Sequence, residues 1–166
     1  MSTRRTTSGF SRSDLPGLAV AVVACNVVGA SPALVTATGS GSWYETLARP
    51  ELAPPNWVFG PVWTLLFTLL GVAAYLVLRD GRGRARTLAL GLFVAQYVLN
   101  VSWTLVFFGG QDIEGGLAVI AVLWALIAAT IGAFARVRRA AAALLVPYLA
   151  WVSFAAYLNY AFWTLN

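Results

Sequence analysis

Five apolar runs, none holding a single Asp, Glu, Lys or Arg, decide what this chain can become: residues 16–38, 57–78, 87–108, 115–135 and 140–165. A hydrocarbon layer about 30 Å thick takes roughly 20 residues of α-helix to cross. Inside lipid the backbone has no water to bond, so runs of this length must satisfy their N–H and C=O groups internally, as helices. Composition agrees. The chain is 60% hydrophobic and 10% charged, whereas soluble domains carry about 25% charged residues. Too few polar side chains exist to face water on all sides. The expected fold is all-α, an integral membrane bundle of five transmembrane helices. Residues 1–14 form a cytoplasmic N-terminal tail, and residues 15–166 form the membrane domain.

Arginine placement orients that bundle. Arg4, Arg5 and Arg12 lie in the tail, Arg79, Arg82, Arg84 and Arg86 in the second loop, and Arg136, Arg138 and Arg139 in the fourth. Only Arg49 lies on the other side. Cytoplasmic loops of membrane proteins hold the excess of basic residues. The expectation is therefore a multi-pass protein, of a bacterial cell membrane, with the N-terminus cytoplasmic and the C-terminus outside. The first loop, residues 39–56, then faces outward. A net charge of +5 does not point to nucleic acid, because the arginines sit in short loops and form no continuous basic face. The chain has no His, which removes the commonest metal ligand and general base.

Residues 1–25 have the basic start and apolar run of a signal peptide, with Val22-Val23-Ala24-Cys25 placed like a lipoprotein cleavage site. Signal cores span about 7–15 residues, but this run passes Cys25 and reaches residue 38. It reads as a retained span, with Cys25 a small residue facing a neighbouring helix. Small residues let helices approach closely in lipid. The first span repeats Ala21, Cys25, Gly29 and Ala33, and the fourth repeats Ala121, Ala125, Ala129 and Ala133. Both are expected to pack within the bundle. Gly91 and Ala95 in the third span offer the same device as a seam between two copies.

Aromatic placement carries the functional signal. Trp43, Trp57 and Trp163 lie at or beyond span ends, where membrane-interface aromatics belong. Trp63, Trp103 and Trp151 lie deeper; Trp63 is about 9 Å inside its span at 1.5 Å per residue. Helical spacing puts Phe59, Trp63 and Phe67 on one face, Asn100, Trp103 and Phe107 on another, and Tyr148, Trp151, Ala155 and Asn159 on a third. An amide in hydrocarbon is costly unless it bonds to another helix or to a ligand. These faces are expected to converge on a cavity beneath the first loop, suited to a flat, largely apolar molecule. Pro50, Pro54, Pro55 and Pro61 stiffen the loop as a lid. Core filling by the same aromatics is the alternative that spacing leaves open.

Three segments resemble the TspO/MBR family, the tryptophan-rich sensory and translocator proteins. They are Trp43-Tyr44 with Leu47-Ala48-Arg49-Pro50 and Pro54-Pro55-Asn56-Trp57-Val58-Phe59-Gly60-Pro61-Val62-Trp63, then Asn100-Val101-Ser102-Trp103 with Phe107-Phe108-Gly109, then Pro147-Tyr148-Leu149-Ala150-Trp151 through Asn159. The resemblance implies a five-helix bundle, often dimeric, with ligand-binding positions Tyr44, Pro55, Trp63, Asn100, Trp103, Trp151 and Ala155. It implies no obligatory cofactor, and as ligands porphyrins (protoporphyrin IX), haem or benzodiazepine-type compounds. It implies a receptor or binding protein rather than an enzyme, with light-dependent porphyrin breakdown as the alternative. The basic residue that completes the animal cholesterol motif is missing after Tyr160, so sterol is not the expected ligand. Without His, ring stacking is expected rather than haem-type coordination.

Overall fold

The computed structural model describes residues 11–36 and 41–166. Arg4 and Arg5 of the tail, the last two residues expected in the first span and the first two of the first loop lie outside the described residues. Among the described residues there are seven α-helices: α1 (Leu15–Ala30), α2 (Trp43–Thr46), α3 (Phe59–Asp80), α4 (Gly83–Thr104), α5 (Ile113–Val137), α6 (Arg139–Leu144) and α7 (Val146–Leu165). No strand occurs among the described residues. Five helical stretches are long and apolar enough to cross a membrane: α1 with its flanking turns, α3, α4, α5, and α6 with α7.

Local chemistry explains where these helices start and stop. Pro16 opens α1, where a missing N–H costs nothing. The helix runs unbroken through Cys25 and tightens into a 3-10 turn at Ser31–Leu34, with Pro32 near its start. The expected fifth span is interrupted: α6 ends at Leu144 and α7 starts at Val146, where Pro147 lacks the donor that would continue the ladder. The C-terminal end of α4 widens into a π-helical turn, Leu105–Gly109, a feature frequent at functional sites. Gln111 then takes a left-handed φ of 55°, and the Asp112 carboxylate caps α5 by accepting from the Gly115 N–H at 2.8 Å.

The helices close a ring. α1 packs on α3, α3 on α6, α6 and α7 on α5, α5 on α4, and α4 returns to α1 and α3. Leu66, Leu70 and Val77 of α3, Phe93 of α4, Ile120, Leu123 and Ile127 of α5, and Val152 of α7 fill its centre. The crossing of α1 on α3 is tight: a Cβ on Gly71 would sit 2.6 Å from Val22 Cα and 2.9 Å from the Ala21 carbonyl oxygen. Ala21, Cys25 and Gly29 are half-buried at this seam, as their spacing predicts, whereas Ala33, the fourth of the series, is exposed. The α5 series behaves otherwise. Ala121, Ala125 and Ala129 are exposed and only Ala133 is buried, because α5 turns its bulky Ile120, Leu123 and Ile127 to the core instead. Gly91 and Ala95 are exposed on the outward side of α4.

Of the nine arginines among the described residues, all but Arg49 belong to one end of the bundle. There the Asp14 carboxylate accepts from the Tyr75 hydroxyl at 2.8 Å and from Arg79 at 3.2 Å. Asp80 accepts from Arg79 Nε at 2.7 Å and from Arg138. These bonds tie α1, α3 and the α5–α6 turn together. The first loop covers the opposite end.

Candidate functional site

Between α1, α3, α4 and α7, under the first loop, lies a cavity of about 390 Å³. That is within the range of small-molecule sites. Phe59, Trp63 and Phe67, four residues apart on α3, form one wall. Trp63 and Phe67 stack at a centroid separation of 5.2 Å, and Phe59 meets Trp151 edge-on at 6.0 Å. Asn100, Trp103 and Phe108 come from the α4 end, Trp151 and Ala155 from α7, and Asn26, Gly29 and Ala33 from the α1 segment. None of the described lining residues carries a charge.

Six of the seven expected positions border this space: Tyr44, Trp63, Asn100, Trp103, Trp151 and Ala155. Pro55 does not; it is exposed, and its carbonyl accepts the Val58 N–H that starts the turn into α3. Trp43, expected at the headgroups, leans edge-on against Phe107 at 5.9 Å. Trp57 and Trp163 are exposed, as interface residues are.

The described part of the first loop is anchored by rings. Tyr44 is buried against Phe107, Phe108 and Phe162, with centroids 6.4, 5.2 and 5.4 Å away. Burial pushes the Tyr44 hydroxyl above its ordinary pKa, and the Arg49 charge partly offsets this. The Arg49 guanidinium lies 5.4 Å over the Tyr44 ring, within cation–π range. At the chain's last residue, Asn166 bonds back to the loop: Oδ1 accepts the Ala48 N–H at 2.8 Å.

Hydrogen bonds fix the polar groups at and behind the cavity wall. Asn159 Oδ1 accepts the Trp103 indole N–H at 3.0 Å, while its Nδ2 donates to the Ile113 carbonyl at 2.8 Å. Trp103 is thereby tied to α7 and, through Asn159, to the start of α5. Deeper, Asn100 Nδ2 donates to the Tyr148 hydroxyl at 3.1 Å, and that hydroxyl donates to Gln96 Oε1 at 2.9 Å. The Trp151 indole N–H is buried with no acceptor. A buried donor without a partner is costly, and here it belongs to a residue lining an open space.

Two amides outside the expected set prove central. Asn26 donates through Nδ2 to the Val22 carbonyl at 3.0 Å and to Thr68 Oγ1 at 3.2 Å, which leaves Oδ1 as its acceptor. Gln96 is fully buried below Tyr148. Each was visible as an amide in an otherwise apolar run, the same signal that singled out Asn100. Among the described residues no three His, Cys, Asp or Glu side chains gather where a metal would fit.

The sequence pattern of the TspO/MBR family matches residues 21–164. "Tryptophan-rich protein TspO" of Chlorobaculum tepidum is 43% identical over 150 residues, covering 90% of this chain and 95% of that one. "Protein CrtK" of Rhodobacter capsulatus is 36% identical over 151 residues, 89% and 91% of the two chains. The human "Translocator protein" is 39% identical over 126 residues, 75% of each.

Proposed function

The chain belongs to the TspO/MBR family of multi-pass membrane proteins, and from that premise we propose that it is a membrane receptor for porphyrins and related flat hydrophobic ligands, with a sensory, regulatory or transport role. One observation carries this reading. An uncharged, ring-lined cavity holds a buried indole donor, Trp151 Nε1, with no partner among the described residues. A flat molecule stacks on Trp63 and Trp103, and an acceptor on its edge satisfies Trp151. None of the lining residues is acidic, so a carboxylate-coupled proton antiport has no carrier there.

Titration of purified protein with a panel of porphyrins and sterols, read by tryptophan quenching, tests it. Porphyrin binding is expected, and Trp63→Ala is expected to weaken it more than Trp163→Ala, since Trp163 is exposed on the outer side of α7. Equal losses, or no porphyrin binding, end this reading. The exposed Gly91 and Ala95 on α4 support a homodimer seam, and the arginine distribution supports a cytoplasmic N-terminus.

Three cavity-lining indoles also favour a second reading, light-dependent porphyrin breakdown. There, an excited ring takes an electron from Trp151 or Trp63 and dioxygen is the terminal oxidant. Bleaching of bound porphyrin in light against dark, in wild type and Trp151→Phe, separates this from binding alone.

A further inference from the structure

The cavity binds no charge of its own, yet a charge waits at its mouth. Tyr44 and Asn56 line the cavity, and each is touched from outside by Arg49. The guanidinium lies over the Tyr44 ring at 5.4 Å. Its NH2 group donates to Asn56 Oδ1 at 3.2 Å and to the Pro54 carbonyl at 3.1 Å. Those bonds use two of the five N–H donors a guanidinium carries. Nε and NH1 have no hydrogen-bond partner and Arg49 forms no ion pair among the described residues. Both contacts hold the group still without neutralising it, and its side chain is exposed.

The surroundings make Arg49 singular. It is the one basic residue at the loop end, where Glu45, Glu51, Asp112 and Glu114 supply four acids. Glu45 caps the loop by accepting the Gly41 N–H at 3.1 Å, and Asp112 caps α5. An anionic substituent approaching this face meets net negative charge everywhere except at Arg49. Along the cavity itself it meets aromatic rings, aliphatic carbons, amides and hydroxyls, and no charged side chain among the described residues, so nothing there compensates an ion. The geometry therefore divides a ligand in two: an apolar ring inside, and any acidic group outside beside Arg49.

Resting on the binding reading above, we propose that Arg49 is the specificity-determining anchor for a carboxylate carried on the edge of the ring ligand, so that the site selects ring acids over their neutral counterparts. Arginine suits the role, because its charge persists at any working pH and its N–H groups form charge-assisted bonds to carboxylate oxygens. An exposed pair of this kind is worth up to about fivefold in affinity, and salt screens it.

The test crosses charge on the protein with charge on the ligand. Protoporphyrin IX and its dimethyl ester are titrated into wild type, Arg49→Gln and Arg49→Lys in detergent, at low and high salt. Wild type is expected to prefer the free acid by about fivefold, less so in high salt. Arg49→Gln is expected to lose that preference while keeping its affinity for the ester, and Arg49→Lys to retain most of it. Wild type binding acid and ester equally, at both salt concentrations, overturns the anchor and leaves the cavity reading standing. So does an Arg49→Gln variant that weakens acid and ester alike, which marks a loop-holding residue. Wild type that binds neither compound ends the cavity reading, and the anchor with it.

Discussion

Removing one oxygen from the centre of the bundle measures how much the buried amides contribute. Tyr148 is fully buried, and its hydroxyl joins Asn100 Nδ2 at 3.1 Å to Gln96 Oε1 at 2.9 Å. Tyr148→Phe keeps the ring, which meets Trp63 edge-on at 6.3 Å, and deletes both bonds. Inter-helix hydrogen bonds within membranes average about 0.6 kcal/mol, with about 1.7 at the upper end. Two such bonds give a loss of about 1 to 3 kcal/mol, towards the upper figure because both partners are buried and left without water. Gln96 Nε2 already lacks a partner, so the variant leaves that amide wholly unsatisfied. Tyr148→Phe combined with Gln96→Leu removes the stranded amide, and this double variant is expected to be more stable than Tyr148→Phe alone. Reversible unfolding in mixed micelles, followed by circular dichroism, supplies the numbers. Wild-type stability in Tyr148→Phe, or strict additivity in the double variant, refutes the network.

Gly71→Val is expected to separate α1 from α3, because any Cβ there runs into the α1 backbone at 2.6 Å; faster maleimide labelling of Cys25, the single cysteine, reports it. Asn159→Ala is expected to free the Trp103 indole and to weaken ring binding several-fold with little change in secondary structure, checked by quenching titration beside circular dichroism. Asp80→Asn is expected to cost under about 1 kcal/mol, since its bonds to Arg79 and Arg138 lie at a partly exposed end; a larger loss on unfolding in the same micelles argues that this end is drier than its exposure indicates.

Much of the architecture was legible in the chain. Span number follows from where charges are absent. Helical spacing grouped Phe59, Trp63 and Phe67 correctly on one cavity wall. Pro55, a ligand-binding position only by resemblance, does not border the cavity and is an exposed turn residue; proline in a loop signals stiffness and says nothing of where its ring points. The break between α6 and α7 stood in plain view as Pro147, inside a run whose apolarity suggested one continuous span.

The covalent order of residues settled that this chain lies in a membrane, as five crossings, with deep aromatics on particular helix faces. It did not settle which face meets protein. Lipid tails and a protein core are equally apolar, so an alanine stripe such as Ala121, Ala125 and Ala129 looks the same whether it turns inward or, as it does, outward. Only the ring order of the helices, joining α4 to α1 and α3 to α6, brought Asn26 and Asn100 to one cavity and left the Trp151 N–H without an acceptor among the described residues, while the loop fold set Arg49 against Tyr44 and Asn56 of its lining. Those pairings span up to a hundred residues of chain, and hydrophobic periodicity within one helix carries no record of its neighbours.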